Sequence, residues 1–190
     1  MARYSTDHKE KTRAAIVEAA AERVRVGGLE ALGVASIMAE AGLTHGGFYA
    51  HFSSRDALLA AAVTRLFEKA CETVGWFAQK YGEAGLEKYV DFYLSPRHRD
   101  DVERGCPIPS LSGEAMRAGP VVKAAYEAGL DALAERVGGM MAPGDRKGGA
   151  KRAGLALLGE MSGVLGVSRA MGDAKQSAEM LAAKRKAIMV

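Results

Sequence analysis

The sequence predicts an all-α protein, with an N-terminal three-helix helix-turn-helix domain and a larger C-terminal helical domain. Apolar residues recur at helical spacing along most of the 190 residues, and few windows alternate as a β-strand does. Only 6% of the residues are aromatic, whereas Ala, Leu, Met and Gly are abundant, which favours closely packed helices. Because 48% of the residues are hydrophobic, the chain is able to bury the core of one or two domains.

The N-terminal segment predicts a short arm followed by one helix. Residues 1–8 are polar and mildly basic, so we expect a flexible arm there. A helix is expected from Lys9 to Val26, because Gly27 and Gly28 are expected to end it. Its apolar positions share one helical face: Val17, Ala20, Ala21 and Val24.

Residues 34–52 predict two short helices joined by a glycine turn, which is the layout of a DNA-reading helix-turn-helix. Gly42 is able to adopt the left-handed conformation that ends a helix, and Thr44 is placed to cap the next one. The second helix is so short that it buries too little surface to exist for packing alone, so we expect it to contact another molecule. Apolar residues of the first helix fall at i, i+3, i+4 and i+7: Val34, Ile37, Met38 and Ala41.

A long helix follows, from about Arg55 to Tyr81, and Ser53–Ser54 provides a serine cap at its start. A helix with two successive apolar stripes is able to serve two domains, so we expect a DNA-binding domain over residues 1–56 and an effector-binding and dimerisation domain over residues 57–190. The first stripe is Leu59, Ala62, Val63 and Leu66, and the second is Phe67, Ala70, Val74 and Phe77.

The remaining sequence predicts shorter helices separated by breaks. Helices are expected over residues 83–94, 111–118, 120–141, 150–171 and 174–189. Residues 106–110 are expected to form a break, because Pro107 and Pro109 disfavour a helix interior. Residues 143–149, which are rich in glycine and charge, are expected to form a loop.

Charge and cysteine content restrict the class of protein. The net charge of +3 is mild, so it does not by itself indicate a nucleic-acid partner. The two cysteines give no disulfide framework and suit a reducing cytoplasm. No signal peptide and no apolar run of bilayer length is evident, so we expect a cytoplasmic protein with no membrane partner.

Residues 10–60 resemble the N-terminal signature of the TetR/AcrR family of bacterial transcriptional regulators. Met38 stands where the family usually has alanine, and Gly33 stands where a capping Ser or Thr is usual. Neither departure touches the residues that would face a DNA groove. The matching positions are Ile37, Ala41–Gly42, Phe48–Tyr49, Phe52 and Ser54–Arg55–Asp56–Ala57–Leu58.

The resemblance implies DNA contacts of two kinds, phosphate contacts that position the protein and base contacts that specify the sequence. The alternative is that Phe48, Tyr49 and Phe52 are core aromatics; we prefer it for Phe48 and Phe52, whereas the Tyr49 hydroxyl needs a partner. Phosphate contacts are expected from Thr44, Tyr49, His51 and Arg55, base contacts from His45, Gly46 and Gly47, and backbone contacts from Ala35 and Ser36.

The resemblance also implies that the effector-binding domain contains a cavity for an apolar or aromatic small molecule. For each predicted lining residue taken alone, we prefer ordinary core to pocket lining, and the sequence does not identify the ligand. The predicted residues are Phe67, Cys71, Trp76, Phe77, Tyr89, Phe92, Tyr93, Cys106, Met116 and Tyr126.

Cys106 carries a separate prediction. Four basic residues, including His98, precede it, and a cationic setting would lower the pKa of its thiol. The stretch resembles one in a subgroup of the family, some of whose members sense electrophiles or oxidants. Asp100, Asp101 and Glu103 oppose the shift, and a small buried residue is the alternative.

The last two helices are expected to form a dimer interface, since the resemblance implies a four-helix dimer seam. A dimer also suits two short recognition helices on a pseudo-palindromic site. Intramolecular core is the competing interpretation of the same residues. The predicted interface residues are Ala153, Gly154, Leu157, Met161, Val164, Leu165, Ser168 and Leu181.

The sequence therefore predicts a homodimeric transcriptional regulator that binds double-stranded operator DNA. We expect a repressor that is released by a small molecule or by modification of Cys106. The sequence lacks a phosphate loop, a His-Glu-x-x-His zinc helix and a Gly-x-Ser-x-Gly elbow, so we expect no catalysis, no metal and no cofactor. A non-catalytic helical interaction module is the alternative.

Overall fold

The computed structural model describes residues 2–142 and 148–189, apart from the side chains of residues 2–6 and of His45, and in that part it contains helices and no strand. The predicted all-α class is confirmed. The α-helices are α1 (Ala2–Gly27), α2 (Val34–Glu40), α3 (Arg55–Tyr81), α4 (Gly85–Tyr93), α5 (Pro96–Asp100), α6 (Ile108–Ala115), α7 (Pro120–Met141), α8 (Gly149–Ala170) and α9 (Ala174–Ile188). Short 3-10 helices occupy Leu29–Ala31, His45–Ala50, Gly82–Ala84 and Val102–Arg104.

The chain divides into two compact units. The first unit comprises Met1–Leu66 and Leu111–Glu127, and the second comprises Phe67–Ser110 and Ala128–Val190. The boundary thus falls inside α3, α6 and α7. The first unit contains the helix-turn-helix together with a later segment of the chain. Among the described helices, none is both long and apolar enough to cross a membrane.

The core of the first unit is built from apolar stripes on its helices. The predicted faces of α1 and of the start of α3 are buried, and burying each large aliphatic side chain contributes about 1.5–3 kcal/mol. The core residues of these helices include Ile16, Val17, Ala20, Ala21 and Val24 of α1, Ile37 and Met38 of α2, and Leu58, Leu59, Ala62, Val63 and Leu66 of α3.

The second unit packs the end of α3 and helices α4, α7, α8 and α9 around its own core. Leu133, Ala134 and Val137 of α7 are buried. Gly154 of α8 lies so close to α7 that a methyl group added there would meet the carbonyl oxygen of Ala134. Two helices can approach this closely only where one of them lacks a side chain.

Three sequence predictions about the helices need correction. Helix α1 begins at Ala2, so residues 2–8 are helical and not an arm. No proline or glycine interrupts this stretch, and an ion pair between Lys11 Nζ and Asp7 Oδ2, 2.9 Å apart, joins successive turns.

Helix α6 begins at Ile108, so the expected break does not extend through residue 110. Pro109 lies in the first turn, where a helix needs no N–H donor. The short second helix of the helix-turn-helix is 3-10 over His45–Ala50, and Thr44 precedes it without a side-chain capping bond. Gly46 and Gly47 disfavour a longer α-helix. The loop predicted for residues 143–149 lies largely outside the described residues.

Candidate nucleic-acid interface

The helix-turn-helix of the first unit has the predicted glycine turn. Gly42 has a φ of +72°, its N–H donates to Ala39 O at 3.0 Å, and the N–H of Leu43 donates to Met38 O at 2.8 Å. This pair of bonds is a Schellman motif, and it satisfies carbonyl groups at the end of α2. The turn thereby fixes the angle at which the short 3-10 helix leaves α2.

Two buried aromatic side chains anchor the short 3-10 helix. Phe48 and Phe52 are buried, at 2% and 3% exposure, and their rings stack with centroids 5.8 Å apart. The guanidinium carbon of Arg13 lies 4.8 Å from the centroid of the Phe52 ring. Phe48 and Phe52 are therefore core residues, as expected from the sequence.

Tyr49 is held differently from its two aromatic neighbours. It is 72% exposed, while its ring packs edge-to-face on Phe48, with the centroids 5.3 Å apart and an interplanar angle of 77°. The contact restricts the ring and leaves the phenol on the outside of the motif. A restrained, exposed donor of this kind is suited to contact an external acceptor.

Most other residues predicted to contact DNA also lie at the surface. Ala35, Ser36, Thr44 and Gly46 are exposed, and Gly47 is half-buried. A methyl group added at Gly46 would meet no atom within 4 Å, so the backbone at this point is open to a partner. The side chain of His45, another predicted contact, lies outside the described residues.

His51 and Arg55 leave fewer hydrogen-bonding nitrogens available to DNA than the sequence suggested. His51 is half-buried, and its Nδ1 is buried with no hydrogen-bond partner among the described residues. Arg55 donates from Nε to Leu32 O at 3.0 Å and from Nη2 to Leu29 O at 2.8 Å. Two of its nitrogens therefore hold the 3-10 turn before α2.

Polar contacts fix the helix-turn-helix to the helices beside it. Arg65 Nε donates to Glu18 Oε2 at 3.0 Å and ties α3 to α1, and Arg23 pairs with Glu40 between α1 and α2. The hydroxyl of Ser54 accepts the N–H of Ala57 at 3.1 Å, which is the predicted serine cap of α3.

Residues 16–62 match the model of a family described as bacterial regulatory proteins, tetR family. The matched span runs from α1 into α3 and includes the whole helix-turn-helix. The N-terminal part of the chain therefore matches the TetR family.

Solved structures that include TetR-family regulators share this fold over nearly the whole chain. One from Cytophaga hutchinsonii has a TM-score of 0.76 at 16% identity, with 94% of each chain covered. One from Chloroflexus aurantiacus has a TM-score of 0.73 at 22% identity, with 96% of each chain covered. The reduced form of NemR from E. coli has a TM-score of 0.74 at 16% identity, covering 90% of this chain and 94% of that chain. None of the curated proteins matches this sequence.

In the second unit, four of the predicted ligand-lining residues form one aromatic cluster. The ring centroids of Phe77 and Tyr89 lie 5.8 Å apart, those of Phe77 and Phe92 lie 5.4 Å apart, and those of Tyr89 and Tyr93 lie 5.7 Å apart. His98, which the sequence prediction did not include in the lining, stacks on Phe92 at 4.9 Å. Buried Phe67 packs against the backbone of α7 at Gly129.

Other predicted lining residues lie at the edge of this cluster or outside it, and Trp76 is at the edge, with its ring 4.9 Å from that of Phe77 between centroids. Trp76 is 49% exposed, and Lys80 Nζ lies over its ring at 4.4 Å, so its indole faces outward. Met116 is 69% exposed, and both Met116 and Tyr126 belong to the first unit. Cys71 is buried, and burial raises the pKa of its thiol although Arg136 opposes the rise.

The region around Cys106 contains a chain of buried hydrogen bonds. His98 Nε2 accepts the N–H of Cys106 at 3.0 Å, and His98 Nδ1 lies 2.8 Å from Tyr93 O. Because Nε2 accepts, Nδ1 is assigned the proton and the ring is neutral. Burial lowers the pKa of His98, and its bond to the Tyr93 carbonyl only partly opposes this. His98 therefore does not supply the positive charge that the sequence suggested.

Arg169 of α8 supplies a cation in this region instead. Its Nε donates to Arg99 O at 3.0 Å, its Nη2 to His98 O at 3.2 Å and its Nη1 to Ser110 Oγ at 3.4 Å. Arg169 is 71 residues from His98 in the sequence, so no local pattern could reveal this contact. The described part of the chain contains no group of three His, Cys, Asp or Glu side chains that could hold a metal.

The predicted dimer interface also needs correction, because most of its residues lie inside the protomer. Gly154, Leu157, Met161, Leu165, Ser168 and Leu181 are buried, and Ala153 and Val164 are half-buried. The competing interpretation, intramolecular core, applies to the six buried residues. The opposite side of α8 is exposed and carries Ala156, Gly159, Gly163, Val167 and Ala170.

Proposed function

We propose that this TetR-family protein is a homodimeric transcriptional repressor that binds a pseudo-palindromic operator. The observation that carries the proposal is the exposed edge of the helix-turn-helix, above all Tyr49, which is 72% exposed beside buried Phe48. Two turns of 3-10 helix with this much polar exposure contribute little to packing. Contact with DNA accounts for the presence of these two turns.

Phosphate contacts from Thr44, Tyr49 and His51 position the helix-turn-helix on the DNA backbone. Base edges are read at the start of the 3-10 helix, where His45 and the open backbone of Gly46 and Gly47 enter the major groove. Ala35 and Ser36 at the start of α2 touch the adjacent backbone. Arg55 acts through the turn that it holds and is a positioning residue.

Dimerisation uses the exposed side of α8. Glycines at positions 159 and 163 leave open space for an approaching helix, since a methyl group at either would meet no atom within 4 Å. Val167 is 56% exposed on the same side and supplies apolar surface. Two copies joined in this way present two helix-turn-helix motifs to the two half-sites of an operator.

The effector is a small apolar or aromatic molecule that binds at the aromatic cluster of the second unit. The tilted and edge-to-face rings of Phe77, Tyr89 and Phe92 offer apolar surface, and the Tyr93 hydroxyl offers a polar group. Release from DNA requires that the effector bind more tightly to the protomer conformation that does not fit the operator.

Modification of Cys106 is a second route to release. The Tyr93 hydroxyl is buried beside the Cys106 thiol: burial raises the pKa of Tyr93 most, and the charge of Cys106 and its side-chain hydrogen bond raise it further. Oxidation by a peroxide breaks the O–O bond, adds one oxygen to sulfur to give Cys–SOH, and releases water or an alcohol. The Tyr93 hydroxyl would donate to the new oxygen, which shifts local packing.

Fluorescence anisotropy tests the main proposal with the DNA that flanks the gene, compared with scrambled DNA at one fixed salt concentration. Specific binding tighter by roughly a thousandfold or more is the expected result. Equal, weak binding to both would mean that the operator lies elsewhere or that a co-ligand is needed. No binding even at low salt would favour the helical interaction module. For the thiol route, release by a mild electrophile or peroxide should disappear in Cys106→Ser and persist in Cys71→Ser. Unchanged release in Cys106→Ser would exclude that route.

A further inference from the structure

The turn that joins α1 to α2 is poorly stabilised by its own backbone. In the 3-10 turn Leu29–Ala31, the N–H of Ala31 donates to Gly28 O at 3.3 Å, and the N–H of Leu32 donates to Leu29 O at 3.5 Å. Both distances are long for N–H···O bonds. Gly33, which precedes α2, has no side chain that could cap the helix. The direction of α2 must therefore be set by other contacts.

Two side chains from later in the chain hold the turn at Leu29. Glu114, near the end of α6, accepts the N–H of Leu29 on Oε2 at 2.6 Å, across 85 residues of sequence. Arg55 holds the other side through the carbonyl oxygens of Leu29 and Leu32, at 2.8 and 3.0 Å. Both backbone groups of Leu29, a residue only 6% exposed, are thus bound to charged side chains. Charge-assisted bonds of this kind are stronger than neutral ones.

Gly28 allows Glu114 to reach the turn. Its φ of +77° disfavours any residue with a side chain, and an added methyl group would collide with the Glu114 carboxylate, lying 2.8 Å from its Cδ. A cleft of about 220 Å³ lies beside the contact, lined by Glu114, Arg55 and Glu30 among others. Water can therefore reach the carboxylate if the bond to Leu29 opens.

From these contacts we infer that Glu114 is a positioning residue for DNA binding, which acts by holding the Leu29 turn and thereby the direction of α2. The inference rests on the proposed DNA-binding function, but the contact itself can be tested without DNA. It also means that the DNA-binding unit needs a residue from outside its first 66 positions. Glu114 lies in the same helix that begins two residues after Cys106.

The test compares full-length Glu114→Ala and Glu114→Gln with Glu30→Ala, which removes the same charge from the same cleft without touching the Leu29 bond. Affinity for the flanking DNA is measured by anisotropy at one salt concentration, well below each variant's melting temperature. Hydrogen exchange of the Leu29 amide, followed residue by residue by NMR, reports on the contact directly.

Glu114→Ala should bind DNA about tenfold more weakly, which corresponds to about 1.4 kcal/mol, and Leu29 should exchange faster. Glu114→Gln retains an acceptor oxygen and should recover most of the affinity, while Glu30→Ala should match the parent protein. The inference is overturned if Glu114→Ala retains full affinity, or if Glu30→Ala loses as much. If the parent protein binds no DNA, the proposed function fails, and unchanged Leu29 exchange in Glu114→Ala would still refute the contact.

Discussion

Removing the hydroxyl of Tyr49 should weaken DNA binding without disturbing the fold. In Tyr49→Phe the ring retains its edge-to-face contact with Phe48, 5.3 Å between centroids. Because Tyr49 is 72% exposed, we expect the free energy of unfolding to change by less than about 0.5 kcal/mol. By contrast, Phe48→Ala removes a residue that is 2% exposed and should cost about 3–5 kcal/mol of stability.

The size of the effect on DNA binding follows from the number of contacts. A hydrogen bond to a charged group contributes about 1.5–3 kcal/mol, and a dimer would make two such bonds to phosphates. The loss should therefore be at least about 3 kcal/mol per dimer, or about a hundredfold in affinity. Phosphate contacts carry no sequence information, so specific and scrambled DNA should be affected alike.

Anisotropy titrations of both DNAs at several salt concentrations would measure the effect. The slope of affinity against salt should be unchanged, because a phenol is neutral and displaces no counterion. Tyr81→Phe, at an exposed tyrosine outside the first unit, is the matched control. A loss restricted to the specific DNA would contradict a phosphate role for Tyr49, as would full affinity in Tyr49→Phe.

Three further predictions concern the second unit. Val167→Glu, on the exposed side of α8, should shift sedimentation from dimer to monomer with little loss of helix content, and a persistent dimer would argue against that face. Gly154→Ala should destabilise the protein by about 1–3 kcal/mol in denaturant titrations, because its methyl group meets the Ala134 carbonyl, and an unchanged midpoint would contradict this close approach. His98 has a lowered folded-state pKa, so the unfolded chain takes up its proton first, and stability should fall as pH drops below about 6.5. His98→Gln should flatten this slope, by at most about 1.4 kcal/mol per pH unit, and an identical slope would show that other groups cause it.

The helix-turn-helix could be predicted from the sequence because its determinants are local. The spacing of Ile37 and Met38, the left-handed Gly42 and the serine cap at Ser54 each act within a few residues of chain. The same holds for Phe48 and Phe52, whose spacing places both rings on the buried side of a short helix. Backbone sterics and hydrophobic periodicity decide such features before any distant part of the chain is involved.

The choice between faces of α8 could not be made in this way. Gly154 and Gly163 are the same residue type in the same helix, yet one lies against the Ala134 carbonyl and the other meets open space. Weak amphipathic patterning in a helix rich in small residues leaves both faces plausible. Only the position of α7 decides which glycine is buried.

Long-range polar contacts likewise depend on the tertiary structure. By its sequence Arg55 is a cation at the start of a helix, which suits a phosphate, but the fold brings two carbonyl groups to it. Glu114 and Leu29 are 85 residues apart, and Arg169 and His98 are 71 apart. A charged side chain takes whichever partner the packed helices place within hydrogen-bond distance. The sequence alone therefore determined the helical class and the helix-turn-helix. The packing of distant helices decided which polar groups are engaged within the protein and which face outward.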